Sequence, residues 1–327
     1  MSKTDLFVTS DTKQAGQGIY RLTLDRLKGK LEGPWLYYEC AEAKALSRYH
    51  YELAVVCAKP EHAGVALLDT HQPIPFFIAS KLAEETPPCS ITQDSKRIYT
   101  VNDREGNVMV YHKEQNHLRL ERRIKLGAEA KCRQLFLLDQ YLYIVCAGWD
   151  RIRILNPQDQ YAVVRDIPLP KESGPCFAEA DAWHRYLYVL CETSNEIFVF
   201  QIGAHCAFRC HQIISVLPPG CRETCVSTAL HISPNAQFLY TATAGIDVVT
   251  SFAIINGSLL PKEIIKSGGV YPSDLILDDS GRWLIVLNRD SDRVILFQCH
   301  PETGETIAVY DEVKLPKGTA ITFAYHR

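Results

Sequence analysis

One short apolar pattern recurs seven times along this chain, and its spacing limits the architecture before any single residue is weighed. The copies read Leu6-Phe7-Val8-Thr9, Leu53-Ala54-Val55-Val56, Ile98-Tyr99-Thr100-Val101, Leu142-Tyr143-Ile144-Val145, Leu187-Tyr188-Val189-Leu190, Leu239-Tyr240-Thr241-Ala242 and Leu284-Ile285-Val286-Leu287. Successive anchors are 47, 45, 44, 45, 52 and 45 residues apart. A period in the forties with several strand-like segments per unit is that of propeller blades; leucine-rich units are shorter and armadillo units are helical. Blades need one another to bury their faces, so the 327 residues are expected to form one seven-bladed, all-β domain rather than two domains.

Within a unit four strands are expected. In the third they fall at 88–94, 97–102, 107–112 and 118–125, innermost to outermost, with a turn at Asp94-Ser95-Lys96. Gly16-Gln17-Gly18 reads as the loop before a strand at Ile19 to Leu24. The two ends do not match: the chain opens on a second strand, Leu6 to Ser10, and closes on an unpaired candidate, Thr319 to Phe323. If that last strand completes the first blade, the ring closes and two open sheet edges disappear.

Charge and composition exclude several classes of function. A net charge of −3 gives no electrostatic footprint for nucleic acid. No apolar run approaches the length of a membrane helix, and Met1 to Val8 lacks the basic-then-apolar layout of a secretory signal, so a cytoplasmic location is expected. In that setting the twelve cysteines should be reduced. Cys57, Cys146 and Cys191 each follow their anchor by four residues, as small buried packers between blades would. Cys206, Cys210, Cys221 and Cys225 resemble a zinc set, but the 211–216 strand should hold the two pairs roughly 20 Å apart, so no metal is expected. His184, His211 and His231 lack metal-ligand spacing, and His231 before Ser233-Pro234 reads as a packed or turn-capping residue. No GxSxG, P-loop or dinucleotide fingerprint occurs, which leaves no cofactor to expect.

The repeat also says where a site would be. The end of each second strand and the start of each innermost strand point to the same face, where loops converge on the central channel. Five residues past each anchor stand Asp11, Ala58, Asp103, Ala147, Glu192, Ala244 and Arg289. Equivalent positions in rotated blades should form a ring, so Asp11, Asp103, Glu192 and Arg289 are expected to face the channel. Glu192 follows Leu190 and Cys191, a setting in which partial desolvation would suit a general base.

Three stretches carry a family resemblance: the opening Leu6 to Ser10 with Gly18 to Asp25; the central Gly174-Pro175-Cys176-Phe177 with Tyr186 to Glu192; and Pro272-Ser273-Asp274-Leu275 with Asp279 to Arg289. The chain resembles the seven-bladed propeller lactonases, which include the propeller-type 6-phosphogluconolactonases and the fungal carboxymuconate cyclase. The resemblance implies a site of one glutamate, two arginines and a histidine. The glutamate falls on Glu192. The arginine and histidine of the family's Gly-Pro-Arg-His segment fall on Cys176 and Phe177. The second arginine falls on Ala244, and another histidine position falls near Lys131-Cys132. Arg133, Arg222 and Arg289 lie in loops of the same face and are candidates to replace the missing arginines. The reading is a hydrolase acting on a sugar lactone, with Glu192 as base. Arg133, Arg222, Arg289, Asp103, Asp11 and Cys176 are the candidate substrate contacts. The alternative is a catalytically silent propeller that binds a small metabolite or a protein on the same face.

Overall fold

In the computed structural model, which describes residues 2–11 and 18–325, the chain forms seven four-stranded antiparallel sheets. Gly16 and Gln17 of the expected loop lie outside the described residues. Each of the seven anchors falls in the second strand of its blade: Lys3–Ser10, Glu52–Lys59, Arg97–Asn102, Tyr141–Cys146, Tyr186–Cys191, Phe238–Ala244 and Trp283–Asn288. Blades are numbered here in that order.

These second strands are apolar on both faces because each face meets a different neighbour. In blade 5, Tyr188 and Leu190 pack toward blade 6, while Leu187, Val189 and Cys191 pack toward blade 4. The buried apolar residues accordingly fall into seven clusters, one in each seam between adjacent blades. Cys57, Cys146 and Cys191 sit in three of these seams, each facing the preceding blade. All twelve cysteines carry free thiols.

Closure follows the expected route. Gly318–Phe323 pairs antiparallel with Lys3–Ser10, Phe323 opposite Leu6 and Ile321 opposite Val8, so the last strand is the innermost strand of blade 1. Ile321 and Phe323 join Leu6, Leu22 and Leu287 in the seam between blades 7 and 1. Each innermost strand packs beside the next around the channel, including Gly318–Phe323 beside Leu46–Tyr49. No helix of the described residues is long and apolar enough to cross a membrane.

Candidate functional site

The site begins with an irregularity in the innermost strands. In blades 4, 5, 6 and 7 the register against the second strand slips by one residue at Arg133, Cys176, Thr228 and Ser273. A bulge frees a residue from the ladder and re-aims its side chain. Most of these side chains are short hydroxyls or thiols that reach the next blade. Cys176 Sγ donates to the Ser227 carbonyl at 3.4 Å, Thr228 Oγ1 to Pro272 at 2.6 Å, and Ser273 Oγ to Gly318 at 2.7 Å. Thr319 Oγ1 continues the series to Lys44 at 3.2 Å, and Cys89 Sγ donates to Cys132 at 3.1 Å. A belt of donors therefore stitches blade to blade at the channel entry.

Arg133 interrupts the belt. Its guanidinium is too long to close the short bridge and reaches out instead. Nε and Nη2 both donate to Glu192 Oε1, at 3.0 and 2.8 Å, and Nη1 lies 3.5 Å from Asp103 Oδ2. Burial works against the guanidinium charge, but the Glu192 and Asp103 carboxylates outweigh it and hold its pKa above the ordinary value. Three blades meet in this cluster: Asp103 from blade 3, Arg133 from blade 4, Glu192 from blade 5. Glu192 is placed by its backbone, whose N–H donates to the Gly174 carbonyl at 2.7 Å. Gly174 has φ of +64°, and a Cβ there would strike Thr193. Glu192 Oε2 has no hydrogen-bond partner among the described residues.

Arg133, Glu192, Cys176 and Arg289 line one cavity of about 690 Å³ in the channel, within the size range of small-molecule sites. Arg289 lies over the Tyr271 ring at 3.8 Å and bonds to Asp290 through Nε at 3.1 Å. Cys176 is a buried thiol whose pKa burial pushes well up, so it contributes shape and a bridge between blades rather than a nucleophile.

Of the four charges expected to ring the channel, Glu192 and Arg289 line the central cavity; Asp103 does not line it and meets it only through Arg133, and Asp11 lies apart. Asp11 takes the repeat's backbone bond, its N–H donating to Lys317 at 3.0 Å, but it lines a separate cavity with Ala58, Glu42 and Lys59. Arg222 stands exposed in the loop between blades 5 and 6, where its backbone N–H bonds to Glu223, and it does not line the central cavity. Its loop turns at Pro218-Pro219-Gly220 on the way to blade 6, which leaves the side chain in solvent.

Two lining residues are not among the site candidates read from the sequence. His231, read there as a packed residue, is on the channel wall with Nδ1 3.4 Å from Glu179 Oε2. Asp274 lines the same cavity, and burial pushes its carboxyl up to about 7 even though it accepts bonds from the Leu275 and Ile321 N–H groups. Burial acts to lower the His231 pKa; Glu179 and Asp274 together outweigh it and raise it. The bulge is the missing signal. Asp274 immediately follows bulged Ser273, and His231 lies three residues past bulged Thr228, so simple alternation along the strand does not give their direction.

The chain matches the family described as "Lactonase, 7-bladed beta-propeller" over residues 5–323. It is 24% identical to the 6-phosphogluconolactonase of Bacillus subtilis (strain 168), the match covering 99% of each sequence. Among solved structures, a protein from Lactobacillus plantarum superimposes with a TM-score of 0.92 at 20% identity, over 98% of this chain and 99% of that one. The periplasmic gluconolactonase of Pseudomonas aeruginosa gives 0.88, also at 20% identity, over 99% of both. At those identities the structural likeness speaks for the fold, while the family match spans nearly all seven blades: this chain belongs to the seven-bladed β-propeller lactonase family.

Proposed function

We propose that the chain hydrolyses a sugar lactone in the central channel. The observation that carries this reading is the position of Arg133. The family resemblance implies an arginine at position 176, the bulge of blade 5. That bulge holds cysteine, and the corresponding bulge one blade earlier holds Arg133, bonded to Glu192 in the same cavity. The site's cation is displaced by one blade rather than lost. Lactone opening requires a base for water and positive charge near the acyl oxygen as it gains charge. Glu192, with Oε2 uncommitted, takes the first role; Arg133 takes the second; Arg289 is placed for an acidic substituent of the sugar.

The substituted positions Cys176, Phe177 and Ala244 favour the second reading, a propeller that binds a metabolite without turning it over. The test is hydrolysis of δ-gluconolactone and its 6-phosphate, above the spontaneous rate, by the wild type and by Glu192→Gln. The hydrolase reading expects turnover by the wild type and loss of about 10²-fold or more in Glu192→Gln, with an unchanged melting temperature. Binding of lactone or aldonate without turnover by the wild type favours the second reading.

A further inference from the structure

Below Glu192 the channel wall is built in layers, because innermost strands of different blades meet their second strands at the same levels. Opposite the fourth residue of the anchor pattern stand Gln134, paired with Val145, Phe177 with Leu190 and Asp274 with Leu287. Opposite the second residue stand Thr92, paired with Tyr99, Phe136 with Tyr143 and His231 with Tyr240. Glu192 lies two residues beyond the upper layer. Each step is two rungs, so the lower layer is roughly 13 Å below Glu192 at about 3.3 Å per residue. All six side chains line the cavity of Glu192 and Arg133, and all six are part-exposed. They keep unused valences. Gln134 spends Oε1 on the Ala178 N–H at 2.7 Å, which leaves its amide NH₂ free. His231 turns Nδ1 to Glu179 at 3.4 Å; its Nε2 and Thr92 Oγ1 have no hydrogen-bond partner among the described residues. The Asp274 carboxylate is held by the Leu275 and Ile321 N–H groups at 2.8 and 2.9 Å and has lone pairs to spare. Phe136 is braced by stacking on Tyr143, with ring centroids 5.0 Å apart.

We infer that the channel takes a lactone that carries a second, linked sugar. The lactone ring lies between Glu192 and the upper layer. The second ring lies between the two layers, with its face on Phe136 and its hydroxyls on Thr92, His231 and Asp274. The lactone half of this rests on the hydrolase reading above; the second-ring half rests on the layers themselves. One step between layers is close to the depth of a single sugar ring, so a monosaccharide held at Glu192 and Arg133 leaves the lower layer unused. A pyranose presents an apolar ring face with hydroxyls around its rim. The lower wall offers the matching pair of contacts: a part-exposed aromatic ring beside a few polar groups with free donors and acceptors. The charge at this depth favours neutral hydroxyls over a phosphate, since the Asp274 carboxylate lies on the wall and Glu179 stands behind His231.

The test has a binding arm and a kinetic arm. Calorimetric dissociation constants for gluconate, cellobionate and maltobionate isolate the second ring, because all three carry the same open acid. At least one of the two disaccharide acids should bind about tenfold or more tightly than gluconate. The corresponding δ-lactones, corrected for spontaneous opening, should follow the same order in kcat/KM. Phe136→Leu removes the flat face while keeping apolar volume at the seam, and His231→Ala removes the imidazole. Each should lower the preference, the ratio of disaccharide to monosaccharide, by about tenfold. Two variants keep the inference testable if one of them fails to fold. Disaccharide acids that bind no tighter than gluconate, or a preference that survives in both variants, overturn the second ring alone. A wild type that opens none of the lactones overturns the hydrolase reading; tighter binding of cellobionate or maltobionate by that same protein would still uphold the place of the second ring.

Discussion

Single residues in this ring are tuned by which seam they occupy. Glu84 is the clearest case away from the site. It ends the outer strand of blade 2 and is buried against blade 3, where Thr100 Oγ1 and Tyr111 OH donate to Oε1 at 2.8 and 2.9 Å and Asn102 Nδ2 approaches Oε2 at 3.3 Å. Burial raises its carboxyl to about 7, and the three donors only partly oppose that. The folded-state value lies above the unfolded one, so the stabilising contribution is complete below about pH 4.5 and is lost as pH rises through 7. The difference corresponds to roughly 3 kcal/mol. Glu84→Gln keeps an acceptor for both hydroxyls and never ionises. Urea midpoints at pH 5.5 and pH 8 should therefore lie closer together in the variant than in the wild type. Asp274, shifted the same way, leaves some slope behind. An unchanged gap between the two midpoints would show that Glu84 does not titrate in this range. The arginine cluster invites a second residue-scale measurement. Arg133 engages Glu192 Oε1 through Nε and Nη2 of one planar fork, a geometry lysine does not reproduce. Arg133→Lys keeps the charge, so it should lower kcat/KM for the lactone by about tenfold or more while leaving the melting temperature near that of the wild type. Retained kcat/KM would mean that charge alone, not the fork, matters.

At the scale of strands and loops, the site depends on a few backbone placements. The bulges turn Cys176, Thr228 and Ser273 into bridges and send Arg133 into the cavity. The loop into blade 5 positions Glu192 through the Gly174 carbonyl, and Gly174 meets both conditions that favour glycine, positive φ and close approach to Thr193. Gly174→Ala should consequently move Glu192 relative to Arg133. The expected outcome is a loss of lactone turnover out of proportion to a modest drop in melting temperature; a variant with full turnover would show that Glu192 is held by Arg133 and not by the loop. This is also the scale at which the sequence is only partly readable. The seven second strands are visible because both of their faces are apolar, and a continuous run such as Leu187 to Cys191 survives any error of register. Glu192 and Arg289 are placed by counting from those runs. The innermost strands of blades 6 and 7 mix polar with apolar residues, and a bulge shifts their alternation by one. His231 and Asp274 thus look like ordinary turn-proximal residues until the slip at Thr228 and Ser273 is known. Asp11 shows the converse limit: it keeps the repeat's backbone bond yet lines a different cavity, because equivalence of backbone does not fix where a side chain points.

For the whole molecule, the decisive feature is that the ring is closed by one strand from the far end of the chain. Gly318–Phe323 does three things at once. It completes the ladder of blade 1 against Leu6, Phe7 and Val8. It buries Ile321 and Phe323 in the seam between blades 7 and 1, each contributing about 1.5–3 kcal/mol. Its Ile321 N–H also satisfies Asp274 in the channel wall. Removing residues 317–327 takes all three away and uncovers the edge of Lys3–Ser10, and the loss cannot stay local: blade 1 loses its inner strand, and blades 7 and 2 lose the neighbour between them at the channel. The truncated chain should melt at a clearly lower temperature, with the change visible across the ring by hydrogen exchange and not only in blade 1. A synthetic peptide spanning 317–325 should restore the melting temperature in a concentration-dependent way, since a partner that binds only the folded ring stabilises it by mass action. Recovery by the peptide, together with failure of a peptide carrying Ile321→Asp and Phe323→Asp, ties the effect to the seam rather than to the main-chain ladder alone. A truncated chain that melts unchanged would mean that the six other blades hold the ring without closure, and the account of its stability given by these contacts would be wrong.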